Sequence, residues 1–140
     1  MASPGNPVNE SPKKTRVIVA DDASGMRTYL RTILAGAGYD VTEAADGMEA
    51  FDAIMREPFD LLFTDLEMPG MDGYALLSAV SLLPRHRAPA MVVCSVLLDE
   101  TLAMRRPELR LAAALLAKPV QPDDVLKAAE KALKLRGSGR

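Results

Sequence analysis

Five polar side chains stand at the ends of short apolar runs, and their types suggest one shared chemistry. They are Asp21, Asp22, Asp65, Ser95 and Lys118. Three carboxylates brought close together repel one another unless a cation joins them. Mg²⁺ prefers oxygen ligands and is one such cation, and the Lys118 ammonium supplies a second positive charge. A carboxylate held in this way can attack a phosphoryl group and form an aspartyl phosphate.

Apolar runs alternate with helical patterns, and these are the elements that must position the five residues. The predicted strands cover residues 17–20, 39–44, 61–64, 90–94 and 111–117. After each run, apolar residues recur at helical spacing, although the fourth helix, over residues 98–106, is short and is cut by Pro107. Asp46 with Glu49 resembles a capping box, and Pro122 suits the first turn of the last helix. The pattern is five consecutive βα units.

Strands that are apolar on both faces and separated by helices predict an α/β fold. The sheet would be parallel and five-stranded, with helices covering both faces. The carboxyl ends of parallel strands meet at one edge, where such folds bind their ligands. All five polar residues fall on that edge, so we expect the fold to gather them.

Composition limits the classes of function. The chain has 140 residues, of which 49% are hydrophobic and 26% charged, as in an ordinary soluble domain. The formal net charge of −2 gives no basic excess for broad attraction to nucleic acid. Its single cysteine, Cys94, cannot form an internal disulfide, and no apolar run approaches the ~18–20 residues of a membrane span. We therefore expect a cytoplasmic protein without membrane insertion or direct nucleic-acid binding.

The chain divides into one folded domain with loose ends. Residues 1–14 are rich in proline and small polar residues and are predicted to be a flexible lead. Residues 15–136 form the predicted domain, and residues 137–140 a flexible end. Since no stretch of domain size follows residue 136, we expect a protein without an attached output domain.

Four stretches, taken together and in order, resemble the receiver domain of bacterial two-component response regulators. They are VIVADD at 17–22, FTDLEMPGMDG at 63–73, VVCS at 92–95 and AKP at 117–119. The resemblance covers about residues 15–136. It implies a doubly wound, flavodoxin-like (βα)₅ sandwich with strand order 2-1-3-4-5.

The resemblance also implies roles for the acidic residues. Asp65 matches the phosphoacceptor, and Asp21 and Asp22 match the acidic pair that holds Mg²⁺ together with it. Glu67 stands where the family uses a backbone carbonyl as a further metal ligand.

Two further residues match the family, and two depart from it. Ser95 matches the hydroxyl that turns toward the phosphoryl group, and Lys118 the lysine that pairs with it, followed by Pro119 in a cis peptide. Leu115 stands where the family usually has an aromatic residue, and Val96 where it usually has a small one. These departures affect the expected switch, in which the hydroxyl and the aromatic residue move together.

The implied function is that of a signalling acceptor and not of a turnover enzyme. A sensor histidine kinase or histidine phosphotransfer protein would donate a phosphoryl group to Asp65, and the product would change the binding of a downstream protein. One alternative is a receiver-fold binding module that works without phosphorylation. Another is a phosphatase of the haloacid dehalogenase type, although here the acidic pair precedes the nucleophile. A flavin carrier fits less well, since Asp21 and Asp22 would repel its phosphate.

Other conspicuous residues are interpreted as structural. Cys94 lies within an apolar strand pattern, which favours a packed thiol over a reactive one. His86 lies between two arginines in a connection and is interpreted as a solvated loop residue. Arg105, Arg106 and Arg110 are interpreted as a solvated face in preference to a docking edge.

Overall fold

The computed structural model describes residues 13–96 and 98–138. The lead expected over residues 1–14 lies outside these ranges except for Lys13 and Lys14, which are exposed. Among the described residues, no helix combines the length and the apolar character of a membrane span.

The five predicted strands form one parallel sheet. They are β1 (Arg16–Ala20), β2 (Asp40–Ala44), β3 (Leu61–Thr64), β4 (Ala90–Ser95) and β5 (Ala114–Ala117). Their order in space is β2-β1-β3-β4-β5, with every neighbouring pair parallel. The order reverses at β1, so the sheet is doubly wound, and the predicted fold class and strand order are confirmed.

Helices connect the strands and cover both faces of the sheet. They are α1 (Ser24–Gly36), α2 (Gly47–Arg56), α3 (Gly73–Ser81), α4 (Glu100–Arg105) and α5 (Pro122–Ser138), with a 3₁₀ helix over Pro107–Leu111. Helix α5 extends to Ser138, so it includes the first two residues of the expected flexible end, whereas residues 139–140 lie outside the described part.

The last strand is shorter than the apolar run predicted. It begins at Ala114 and not at Leu111, because Pro107, whose ring fixes φ, opens the 3₁₀ helix that includes Leu111. Strand β5 is also the last in the sheet, with β4 as its one neighbour among the described strands. Burial on both faces was expected, but Leu115 is 40% exposed.

The core has two layers, since successive residues of a strand point to opposite faces. Ile18 and Leu62 are register partners and pack against α2 and α3. Val19 and Phe63, one residue further along, pack against α1 and α5. All four are fully buried, and each such side chain contributes roughly 1.5–3 kcal/mol. Tight packing on both faces holds the strand ends in fixed positions.

Helix α2 begins at the predicted capping box. The Glu49 N–H donates to Oδ1 of Asp46 at 2.8 Å, and the N–H of Ala45 donates to Oε1 of Glu49 at 2.6 Å. Helix α3 begins in a similar way, with the N–H of Ala75 donating to Oδ1 of Asp72 at 2.9 Å.

Candidate functional site

The carboxyl edge of the sheet brings the three aspartates together. Asp21 follows β1 and Asp65 follows β3, and these strands are neighbours, with Ala20 opposite Thr64. The N–H of Asp65 donates to the carbonyl of Ala20 at 2.9 Å, which extends the pairing to the site. One carboxylate oxygen from each of Asp21, Asp22 and Asp65 lies within 4.8 Å of the others. Strand register therefore positions groups that are far apart in the sequence.

Lys118 enters the same cluster from the end of β5. Its Nζ lies 2.9 Å from Oδ2 of Asp21 and 3.6 Å from Oδ2 of Asp65. Strand β4 separates β5 from β3, so the long side chain extends past the end of β4. The N–H of Lys118 donates to the carbonyl of Ser95 at 2.9 Å, and the bond between Lys118 and Pro119 is cis, as the resemblance implied.

Asp21 is the most enclosed member of the cluster, with 1% of its surface exposed. Its Oδ1 accepts from the N–H of Ala23 at 2.9 Å, and its Oδ2 accepts from Lys118. Arg27 also donates to the Asp21 carbonyl at 2.7 Å. A buried carboxylate requires such partners, because an unpaired charge in the interior is costly. Asp22, in contrast, is exposed at the mouth of the cluster.

Asp65 is held in two ways. Its Oδ1 accepts from the N–H of Leu66 at 2.8 Å, while its Oδ2 faces Lys118. Burial raises the pKa of the Asp65 carboxyl above its ordinary value, and the charge of Asp21 adds to this. Lys118 and the backbone N–H groups of Leu66 and Glu67 act against the shift but do not cancel it. Additional positive charge near Asp65 would therefore stabilise its ionised carboxylate.

Lys118 keeps its charge within the cluster. Burial alone lowers the pKa of its ammonium, but the hydrogen bond to Asp21 and the charges of Asp21 and Asp65 outweigh this, so the pKa is raised. An ammonium that is charged at neutral pH thus lies between two carboxylates.

The donor atoms fit a hard divalent cation. Mg²⁺ favours carboxylate and carbonyl oxygens, and Asp21, Asp22 and Asp65 offer an oxygen each in one small volume. Lys118 can balance only one of the three negative charges of the aspartates. The remaining negative charge can be neutralised by a metal ion. The backbone carbonyl of Glu67 as a further ligand stays a prediction.

Ser95 lies at the same edge, at the end of β4. It is 2% exposed and is the register partner of Ala117, directly before Lys118. The structure therefore places this residue beside the lysine, as expected. A contact between its hydroxyl and a phosphoryl group stays a prediction.

The loop between β3 and α3 depends on a glycine that the sequence analysis did not single out. The N–H of Gly73 donates to the carbonyl of Leu66 at 2.9 Å. A Cβ at Gly73 would overlap the carbonyl oxygen of Asp65 and the Cα of Leu66. Only glycine allows this close approach of helix and loop. Its place in the stretch FTDLEMPGMDG was the available signal.

A shallow depression opens beside the cluster. Its volume is about 490 Å³, and its lining includes Asp22, Glu67, Asp72 and Tyr74. The Glu67 side chain is exposed there.

The guanidinium carbon of Arg106 lies 3.4 Å from the centre of the Tyr74 ring, so the interpretation of Arg106 as part of a solvated face is incomplete. No local sequence pattern indicates this contact.

The structural interpretations of Cys94 and His86 are confirmed. Cys94 is buried in β4, and burial raises the pKa of its thiol to about 12. His86 is exposed in the turn after α3.

Comparisons with known proteins agree with this geometry. The family model for the response regulator receiver domain matches residues 17–130. Sporulation initiation phosphotransferase F of Bacillus subtilis is 28% identical over 123 residues, which cover 88% of this chain and 97% of that protein. The structure of Vibrio cholerae chemotaxis protein CheY4 is 27% identical, with a TM-score of 0.77, over 86% of this chain and all of that one (100%).

Other relatives are much longer than the matched region. The sensor protein EvgS of Escherichia coli is 43% identical over 65 residues, which cover 46% of this chain and 5% of that protein. The DNA-binding transcriptional regulator NtrC of Escherichia coli is 33% identical over 84% of this chain and 24% of its own length. The chain thus spans a small part of several curated relatives that it matches.

Proposed function

The chain belongs to the response regulator receiver domain family, and from this premise we propose that Asp65 accepts a phosphoryl group from a phosphohistidine. The donor is a sensor histidine kinase or a histidine phosphotransfer protein, and residues 15–136 carry the activity. Receiver domains of this family act in two-component signalling. The protein is a signalling acceptor and not a turnover enzyme.

The observation that carries the proposal is the position of Lys118, whose Nζ lies 2.9 Å from Asp21 and 3.6 Å from Asp65. Phosphoryl transfer needs positive charge around the transferred oxygens more than it needs a general base. The ammonium of Lys118 supplies one such charge at the nucleophile. Asp21, Asp22 and Asp65, with the carbonyl of Glu67, would hold Mg²⁺, which would supply further positive charge against the phosphoryl oxygens.

The chemical step is a displacement at phosphorus. An oxygen of the Asp65 carboxylate attacks, a bond from oxygen to phosphorus forms, and the bond from phosphorus to the donor imidazole nitrogen breaks. The electron pair returns to the imidazole, and Asp65 becomes an acyl phosphate.

The product supplies a signal that a partner can read. The acyl phosphate carries roughly −1.5 to −2 charge in place of the single negative charge of the Asp65 carboxylate. The hydroxyl of Ser95, at the neighbouring strand end, donates to a phosphoryl oxygen. This new contact favours one of two arrangements of the segment after β4, and a downstream protein binds that arrangement.

The test is phosphoryl uptake by the Asp65→Asn variant. With a labelled phosphohistidine donor or acetyl phosphate and Mg²⁺, the wild type takes up label and Asp65→Asn does not. The matched control is Asp52→Asn, an exposed aspartate on α2, which takes up label like the wild type. Equal labelling of wild type and Asp65→Asn overturns the proposal.

Two further outcomes point to the alternatives. Steady turnover of a phosphate monoester by the wild type, lost in Asp65→Asn, indicates a phosphatase. Normal signalling in cells that carry Asp65→Ala indicates a binding module that works without phosphorylation.

A further inference from the structure

A second depression lies at the opposite edge of the sheet from Asp65, at the amino ends of β4 and β5. Its volume is about 520 Å³. The end of α3, the segment after it, the 3₁₀ helix and the last turns of α5 contribute its walls. We call this depression the basic groove, because the described residues that line it include Arg85, Arg110 and Arg136 and no acidic residue.

One of the three arginines has its partners already. Arg136 donates through Nε to the carbonyl of Ala88 at 3.0 Å and through Nη1 to Oδ1 of Asp60 at 3.1 Å. Its charge is balanced by Asp60, and it holds α5 against the segment before β4. Arg136 therefore builds the wall of the basic groove.

The other two arginines carry unbalanced charge. Arg85 and Arg110 are exposed, and neither side chain forms a hydrogen bond or ion pair with any residue in the described ranges. They come from different elements, the turn after α3 and the 3₁₀ helix. The fold therefore brings two uncompensated cations to one concave surface, which favours an anionic occupant.

The same surface also offers apolar contact. Leu111 is 41% exposed and Leu135 is 52% exposed, and both line the basic groove beside Ala88 and Met91. Large side chains exposed on a concave surface lose contact with water when a partner covers them. The occupant thus combines negative charge with at least one apolar side chain.

We propose that the basic groove docks an acidic segment of a partner protein, with an apolar side chain placed between Leu111 and Leu135. Charge complementarity with Arg85 and Arg110 carries this choice. The chain's own terminal residues do not supply such a segment, because residues 1–12 contain one acidic residue, Glu10, and residues 139–140 contain none.

The depression beside the aspartate cluster is acidic, whereas the basic groove is positively charged. In the part of the chain that the structure describes, the depression beside the aspartate cluster is lined by Asp22, Glu67 and Asp72 and by no basic residue. An acidic segment is repelled there and attracted at the basic groove. The two surfaces lie at opposite edges of the sheet, so a partner can stay docked while Asp65 reacts.

The test uses the full chain and a short fluorescein-labelled peptide in which leucines alternate with glutamates. Fluorescence anisotropy measures the Kd for the wild type, for the double variant Arg85→Glu/Arg110→Glu and for the control Arg56→Glu/Arg105→Glu. Arg56 and Arg105 are exposed and lie outside the basic groove, so both double variants change net charge equally. We expect Kd to rise about tenfold or more in the groove variant and to stay within about twofold in the control.

Further measurements separate the apolar contribution to peptide binding from the electrostatic one. The variant Leu111→Ser/Leu135→Ser weakens binding of the leucine-containing peptide but not of a peptide with serine at the leucine positions. Raised salt weakens the wild-type complex. Equal binding by both charge-reversal variants, or equal binding of a peptide with lysine in place of glutamate, overturns the proposal. Self-association of the wild type that is lost in Arg85→Glu/Arg110→Glu also overturns it, because the occupant is then a second copy.

Discussion

Lys118 makes its closer contact with Asp21, at 2.9 Å, and not with Asp65, which lies 3.6 Å away. Asp21 is buried and its other carboxylate oxygen accepts from the N–H of Ala23, so it holds the ammonium in position. Asp65 is then left beside a positive charge without a short hydrogen bond to it. Asp21 thus positions the lysine, and Asp65 is the carboxylate for which we propose the reaction.

This pairing predicts a stability cost that a second substitution repairs. Lys118→Met leaves the buried Asp21 carboxylate without its cation, and we expect a loss of about 3 kcal/mol in the free energy of unfolding. In Asp21→Asn/Lys118→Met the buried Asp21 carboxylate is removed together with its cation, so part of the loss is recovered. Urea unfolding without metal measures the free energy of unfolding of the single and the double variant. Lys127→Met, on the exposed face of α5, is the control. Strictly additive effects of the two substitutions contradict the pairing.

The raised pKa of Asp65 predicts that the proposed phosphoacceptor destabilises the metal-free protein. A carboxyl whose pKa is higher in the folded state contributes full stability below its unfolded pKa and loses that contribution as pH rises through the folded value. Near pH 7 without metal, Asp65→Asn is therefore more stable than the wild type. The difference shrinks as pH falls toward the ordinary carboxyl pKa.

Added Mg²⁺ is expected to favour the stability of the wild type over that of Asp65→Asn, the opposite of the metal-free comparison. It stabilises the wild type more than Asp65→Asn, because one carboxylate ligand is lost in the variant. Thermal unfolding in EDTA and in Mg²⁺ measures the effect. A wild type that is equally stable in both solutions argues against the metal site.

Gly73→Ala is expected to disturb the site more than the fold. The new Cβ overlaps backbone atoms of Asp65 and Leu66, so the loop must shift, at a cost of about 1–3 kcal/mol. Phosphoryl uptake by Asp65 falls as a consequence. The matched control is Gly36→Ala, where a Cβ meets nothing within 4 Å and helix propensity improves. Normal uptake and stability in Gly73→Ala would show that the loop tolerates the shift.

Cys94 is expected to be inert while the chain is folded. Its thiol is buried and its pKa is raised to about 12, so little thiolate exists at neutral pH. A disulfide exchange reagent at about pH 8 should modify the urea-unfolded chain quickly and the native protein only as fast as it opens. Labelling of native protein at the rate of a free thiol contradicts the burial.

The sequence predicted which residues meet at the carboxyl edge of the sheet better than it predicted what surrounds them. Asp21, Asp65, Ser95 and Lys118 could be placed because each ends a strand, and parallel strands share one carboxyl edge. The start of β5 was wrong, because a continuous apolar run does not reveal that Leu111 belongs to a 3₁₀ helix opened by Pro107. Local pattern specifies the type of an element more securely than its ends.

Contacts between distant elements were not predictable. The stacking of Arg106 on Tyr74 joins the segment before the 3₁₀ helix to α3, and the basic groove joins Arg85 to Arg110. Neither pair has a spacing that a helix or strand period can detect. Such relationships depend on how the helices lie on the sheet, which single-sequence patterns do not encode.

The bond between Asp21 and Lys118 links residues 97 positions apart, from the first strand to the last. A chain emerging from the ribosome cannot make this bond until nearly all of the domain has been synthesised. Before then, the acidic cluster lacks its resident cation, and closing so long a loop is entropically costly. The charge-balanced cluster around Asp21 and Lys118 is thus among the last features that the nascent chain acquires.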